Sequence, residues 1–266
     1  MTRYLNKVML IAFVFIATLS LSKSIASEQP KELEVGIGGN IKTVDGSEYI
    51  NHKLDIHIHP LWESRYVSQG RDNLNTDGIA SIAAEFNYEN LAFIPWHATG
   101  VSSGYNELNL NVIYAANLTE RLTLYSGFNH IKTNEEGVKS NNNELSLDFE
   151  YYFTSDTQAL ASMYHALQAH GTFIELAIKK DYLIAESLMF ALTTGVGFNH
   201  GYINDGHNGA NNIKITANLT YQLLDKLSVQ SYVSYSAAIN KNEADYAGDE
   251  SLHSFFWAGI GLNYQY

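Results

Sequence analysis

The chain has 266 residues, with 28 acids against 16 bases for a formal charge of −12, and it contains no cysteine. Without a thiol there are no disulfides, no thiolate catalysis and no lipid attachment through a leading cysteine. The acidic balance argues against nucleic acid as a partner. Three prolines against 18 tyrosines and 19 glycines favour strands joined by turns.

In chain order, the first element is a leader. MTRYLNK carries two basic residues, and the apolar run VMLIAFVFIATLSLS follows. That run is shorter than the ~20 apolar residues a spanning helix needs. Ser24, Ile25 and Ala26 offer a small-residue cleavage site, so residues 1–26 read as a secretory signal peptide. Residues 27–50 read as an N-terminal extension, periplasmic or within the lumen. LEVGIGGNIKTV is strand-like, and the Asp-Gly of VDGSEY suits a tight hairpin. Paired with NHKLDIHI, this stretch could instead supply an extra barrel hairpin, with Pro60 at a turn. Leu54, Ile56, Ile58, Trp62, Ser64 and Tyr66 nevertheless keep one phase straight through Pro60.

From residue 51 onward, twelve strand signals recur, beginning with LDIHIHPLWESRYVS and ending with SFFWAGIGLNYQY. Several alternate with a period of two. Leu145, Leu147, Phe149, Tyr151 and Phe153 take one face, and Glu144, Ser146, Asp148, Glu150 and Tyr152 the other. The short connections YENL, NLTE, FTSDT, the stretch around Asp181 to Glu186, and LLDK alternate with longer ones. The longer ones are SQGRDNLNTDG, ATGVSSG, KTNEEGVKSNNN, GYINDGHNGA and INKNEADYAGDESLH, with the brief LQAHG among them. A soluble sandwich explains the alternation alone. Leader, loop asymmetry and terminal aromatic together point to a transmembrane antiparallel up-and-down β-barrel over residues 51–266. It has twelve strands, or fourteen if the N-terminal hairpin joins. Its place would be the bacterial outer membrane, among outer-membrane lipid and lipopolysaccharide.

The chain ends WAGIGLNYQY, where Gly261, Tyr264 and Tyr266 resemble the C-terminal β-signal of outer-membrane barrels. Gly259 stands where that signal usually has a polar residue, and Tyr266 where Phe is commoner. The resemblance implies recognition of the last strand by the barrel-assembly machinery. SRYVSQGRDN resembles the opening of the TorF-type porins, a proteobacterial family of outer-membrane barrels. Ser64, Tyr66 and Gly70 carry the likeness, followed by Trp96 in AFIPWHA and Glu107 in NELNLNVIY. Gln69 stands where the family often has Arg, with Arg71 just beyond. The likeness spans roughly residues 60–115 and implies an outer-membrane barrel of unspecified substrate.

Giving the apolar phase of each strand to lipid leaves the lumen candidates. On the first strand these are Asp55, His57, His59, Glu63 and Arg65. Farther on come Glu85, Glu107, Arg121, Asp148, Glu150, Glu175, Lys179 and Lys214. Acids outnumber permanent bases, which suits a narrow channel for small solutes with a weak preference for cations. The same charges would equally suit an interior network that plugs a purely structural barrel. His57 and His59 share a face with Asp55 and Glu63, but two imidazoles in a hydrated lumen fall short of a metal site. No cofactor is implied. A lipid-modifying enzyme would need a Ser–His pair near the rim, and no motif pairs His130, His165, His200 or His207 with a serine.

Overall fold

A computed structural model describes residues 54–266 and, before them, the backbone of 32–35 and 41–44. The leader reading of residues 1–26 lies outside the described residues. Glu32–Val35 pairs antiparallel with Ile41–Val44 as a separate two-stranded sheet, so the barrel closes without them. Asp55–Glu63 runs through Pro60 as one strand, which excludes a turn there.

Twelve strands close the barrel, each hydrogen-bonded to its sequence neighbour. They are β1 (Asp55–Glu63), β2 (Ile79–Tyr88), β3 (Leu91–Gly100), β4 (Asn106–Thr119), β5 (Leu122–Glu135) and β6 (Val138–Thr154). Then come β7 (Thr157–Ala166), β8 (Gly171–Ala185), β9 (Leu188–His200), β10 (Gly209–Leu224), β11 (Leu227–Ala238) and β12 (Phe255–Gln265). β12 closes the sheet on β1 through Gly259↔Glu63, Ile260↔Trp62, Gly261↔Leu61, Tyr264↔Ile58 and Gln265↔His57. Pro60 has no N–H to offer Leu262, and the seam register skips that pair. Closure leaves no unpaired edge, the condition for sheet in lipid.

Five connections at one rim are two-residue turns. Those after β4, β6, β8 and β10 each follow a one-residue register shift. A bulge there adds the twist that the turn does not supply. At the turn after β6, Thr154 and Thr157 donate to Asp156 at 2.6 and 3.0 Å, and Lys180 ion-pairs with it at 2.5 Å. Burial would raise this carboxyl, but the bonds from Lys180, Thr154 and Thr157 outweigh it and hold Asp156 below the usual range. The opposite rim carries the longer loops and is the extracellular one.

One long loop reads differently in the structure. The polar stretch KTNEEGVKSNNN is strand almost throughout, with Val138 pairing Glu135 across a tight turn. Glu136 and Gly137 both take positive φ, 51° and 91°. That is the twist-matched two-residue turn, and its glycine position hid inside a polar run.

The outward phase of the wall is apolar, as lipid requires. Leu145, Phe149, Tyr151 and Phe153 on β6 face out, as do Ile215, Leu219 and Tyr221 on β10 and Ile260, Leu262 and Tyr264 on β12. Tyr88, Tyr114, Phe153, Tyr221 and Tyr264 are exposed in the halves of their strands nearer the short turns, in the position of an interfacial aromatic girdle.

Candidate functional site: the inner wall and the mouth

The inward phase is polar and closely held. Glu85, Glu107, Asp148, Glu150, Glu175 and Lys179 are buried on the inner face, as are His57 and His59. Asp55, Glu63 and Lys214 share that phase and are partly buried. Their neighbours repeat one chemical choice, a tyrosine hydroxyl donating to a carboxylate. Tyr66 bonds Glu107 at 2.6 Å and Tyr105 bonds the same oxygen. Tyr125 and Tyr152 bond the two oxygens of Glu150 at 3.2 and 2.9 Å. Tyr164 reaches Asp148 at 3.4 Å, and Tyr232 bonds Glu63. A hydroxyl satisfies a carboxylate without cancelling its charge, unlike lysine or arginine. Four of the wall's acids, Glu63, Glu107, Asp148 and Glu150, are thus held by neutral donors.

Two residues outside the expected set belong with it, and two within it lie elsewhere. Glu144 is buried in the phase of Asp148 and accepts from Tyr202 at 2.5 Å. Asp181 stands 3.6 Å from Lys179. The alternation of β6 already marked Glu144 as wet, but its fixed partner comes from a loop 58 residues away. Arg121 is exposed in the two-residue turn between β4 and β5, on the rim rather than the wall. The turn takes Glu120 and Arg121, so the strand phase ends before them. Arg65 lies just past β1, paired with Asp72 and stacked over Phe255 at 5.5 Å. His57 bonds Asp55 at 2.8 Å and stacks on His59, which stands 4.0 Å from Glu85.

The extracellular mouth is built differently. The loop of residues 64–78 folds inward, setting Tyr66 and Leu74 against Ile79, Ala83, Ile94, Trp96 and Ala98. This apolar inner patch on β2 and β3 was hidden by giving apolar positions to lipid. Within the loop, Val67–Ser68 pairs with Arg71–Asp72 around Gln69 and Gly70, both at positive φ. A Cβ on Gly70 would stand 2.4 Å from the Asn212 side chain, so only glycine fits there.

That turn delivers Arg71, 2% exposed, to a buried latch. Its guanidinium bonds Asn211 Oδ1 at 2.6 Å, the Gly248 carbonyl at 3.0 Å and Asp249 Oδ1 at 3.2 Å. Asp249 also accepts from the Asn242 and His207 N–H groups at 3.0 and 3.2 Å, and lies 2.7 Å from His207 Nδ1. Burial alone would raise the Asp249 carboxyl, but these donors outweigh it and hold it below the usual aspartate range. Burial pulls the Arg71 guanidinium below its ordinary value, against the opposing pull of Asp249. Three loops, of residues 64–78, 201–208 and 239–254, are thereby joined across the opening. His207 is fully engaged, because Nε2 faces the Ala210 carbonyl at 2.9 Å. Within residues 64–71, Ser64, Tyr66 and Gly70 take part in building the mouth, together with Arg71. Ser64 Oγ accepts from Ala258 N–H, Tyr66 bonds Glu107, Gly70 fits Asn212 and Arg71 makes the latch.

A closed twelve-stranded barrel with an apolar outer belt and a polar interior is a bacterial outer-membrane barrel. Solved structures of the same architecture are porins. The KdgM porin matches with a TM-score of 0.54 at 11% identity, over 78% of this chain and 98% of that one. The same porin in complex with disordered oligogalacturonate gives 0.52 at 11% identity, over 79% and 98%. The NanC porin gives 0.50 at 13% identity, over 80% and 99%. At such identities the likeness is one of fold. No protein-family model and no curated protein matches the chain.

Proposed function

We propose that the protein is an outer-membrane channel for small solutes, with a weak preference for cations and no enzymatic role. The inner wall supports this most directly. Its acids outnumber its bases, and Glu107, Asp148 and Glu150 are held by neutral tyrosine hydroxyls, which supports a negative lumen that Lys179 and Lys214 only partly offset. An anionic sugar chain of the kind bound in the KdgM complex would meet the wrong sign of charge here. The likeness of Ser64, Tyr66 and Gly70 to TorF-type porins implies an outer-membrane barrel and leaves the solute open. Assembly would proceed through recognition of β12 by the barrel-assembly machinery, with lipopolysaccharide and phospholipid as surroundings.

One observation favours a second reading, a plugged structural barrel: the latch of Arg71 and Asp249 closes across the mouth. Single-channel conductance in planar bilayers, with reversal potentials in a salt gradient, separates the two. The channel reading expects conductance with weak cation selectivity that falls as salt rises and screening grows. Replacing Asp148 and Glu150 together by Asn and Gln should lower the selectivity while the barrel still folds. Anion selectivity would overturn the lumen assignment, and absence of conductance would favour the plugged barrel.

A further inference from the structure

On the outer surface, one sector breaks the rule that lipid-facing positions are apolar. Register places His97, Leu108, Lys132 and Asn141 in one row across β3 to β6, all on the outward phase. In the next row toward the tip of the β5–β6 hairpin, Asn106 pairs Asn134, and Asn134 pairs Lys139. Lys132 and Lys139 are thus diagonal neighbours on adjacent strands, both exposed. Neither ion-pairs with a carboxylate among the described residues, whereas Lys179, Lys180 and Lys241 each do. Between them runs an open groove of about 270 Å³, lined also by His97, Asn106, Leu108 and Asn141.

The height of this sector matters. Phe128 and Leu145 form the last wholly apolar outward pair on β5 and β6, and Lys132 lies four residues further along. At the usual rise per residue that is roughly 13 Å along the strand, or roughly 10 Å above the belt after barrel tilt. Two unpaired cations therefore stand at headgroup depth on the extracellular side. The nearby acids do not answer them. Glu107 turns its carboxylate inward to Tyr66 and Tyr105, while Glu135 and Glu136 sit at the exposed hairpin tip.

We propose that this groove binds the phosphate groups of a lipid A-type glycolipid in the outer leaflet. Phosphate supplies the charge that Lys132 and Lys139 lack, the amides of Asn106 and Asn141 suit sugar hydroxyls, and Leu108 meets the first acyl carbons. A second copy of the chain fits less well, because a two-fold contact here would set lysine against lysine. The inference rests on the membrane orientation of the barrel and not on its being a channel.

The test is titration of the detergent-purified full-length barrel with bisphosphorylated lipid A and with its dephosphorylated form, read by native mass spectrometry. The phosphorylated lipid should bind more tightly. Lys132→Gln and Lys139→Gln should each weaken it about fivefold, the usual worth of one lysine at an anionic lipid surface. Lys226→Gln, at the opposite rim, should leave binding unchanged. The charge-keeping pair Lys132→Arg and Lys139→Arg should bind like the parent, so a folding defect in the glutamine variants would not hide the answer. Equal binding of the two lipids, equal loss in Lys226→Gln, or loss in the arginine pair would each overturn the proposal.

Discussion

The wall and the mouth of this barrel are held by opposite kinds of interaction. The wall repeats one rule, apolar outward and polar inward, along strands that each pair with their immediate neighbours in sequence. Most of its side chains share their work with many others. The mouth depends on single contacts between distant loops, with Arg71 reaching Asp249 across 178 residues. Redundancy makes the wall tolerant of local change, whereas the mouth concentrates its stability in a few buried polar atoms.

The wall has one weak line, and that gives the largest expected effect. Deleting Tyr264 to Tyr266 removes Tyr264↔Ile58, Gln265↔His57 and the Tyr266 N–H bond to Ile56, from a seam already interrupted at Pro60. The sheet would then have a free edge in lipid. The truncated chain should give no heat-modifiable folded band on electrophoresis and should be degraded before insertion. A normal folded band would show that the seam is as redundant as the rest of the wall.

At the mouth, Arg71→Ala strands a buried aspartate, a change that costs about 3–5 kcal/mol where the charge stays buried. The loss should stay local. Hydrogen exchange in residues 64–78 and 239–254 should rise by orders of magnitude, while the strands keep their protection and the folded band persists. If the strands lose protection to the same degree, the mouth and wall are one cooperative unit and the contrast fails.

Acid is a gentler probe of the same latch. Asp249 is held below the ordinary aspartate range, as is Asp77, where burial is outweighed by bonds from Ser102 and Ser103. A carboxyl depressed in the folded state gives stability that is complete above its unfolded value, about pH 4. That stability is lost as pH falls through the lower folded value. Exchange in residues 239–254, corrected for intrinsic rate, should therefore be flat from pH 7 to about pH 4 and climb below it. A climb that begins well above pH 4 would show that Asp249 is not the group whose protonation loosens the latch.

The wall was legible because each strand has two faces in two different solvents, and alternation writes that difference into the residues. Leu145 to Phe153 against Glu144 to Tyr152 is enough to find a strand, assign its faces and expect closure in lipid. The twelve strands and the sequence of short turns and long loops follow from the same signal. Local periodicity could not say where phase stops, so Arg121 fell on a turn, and the polar run around Gly137 became strand. Nor could it supply partners. Which tyrosine serves which carboxylate, how the loop of residues 64–78 folds onto Trp96, and that Arg71 meets Asp249 all depend on closing the sheet. Closure brings the ends of β1, β10 and β12 together around one opening, and only that global constraint selects contacts between residues so far apart in the chain.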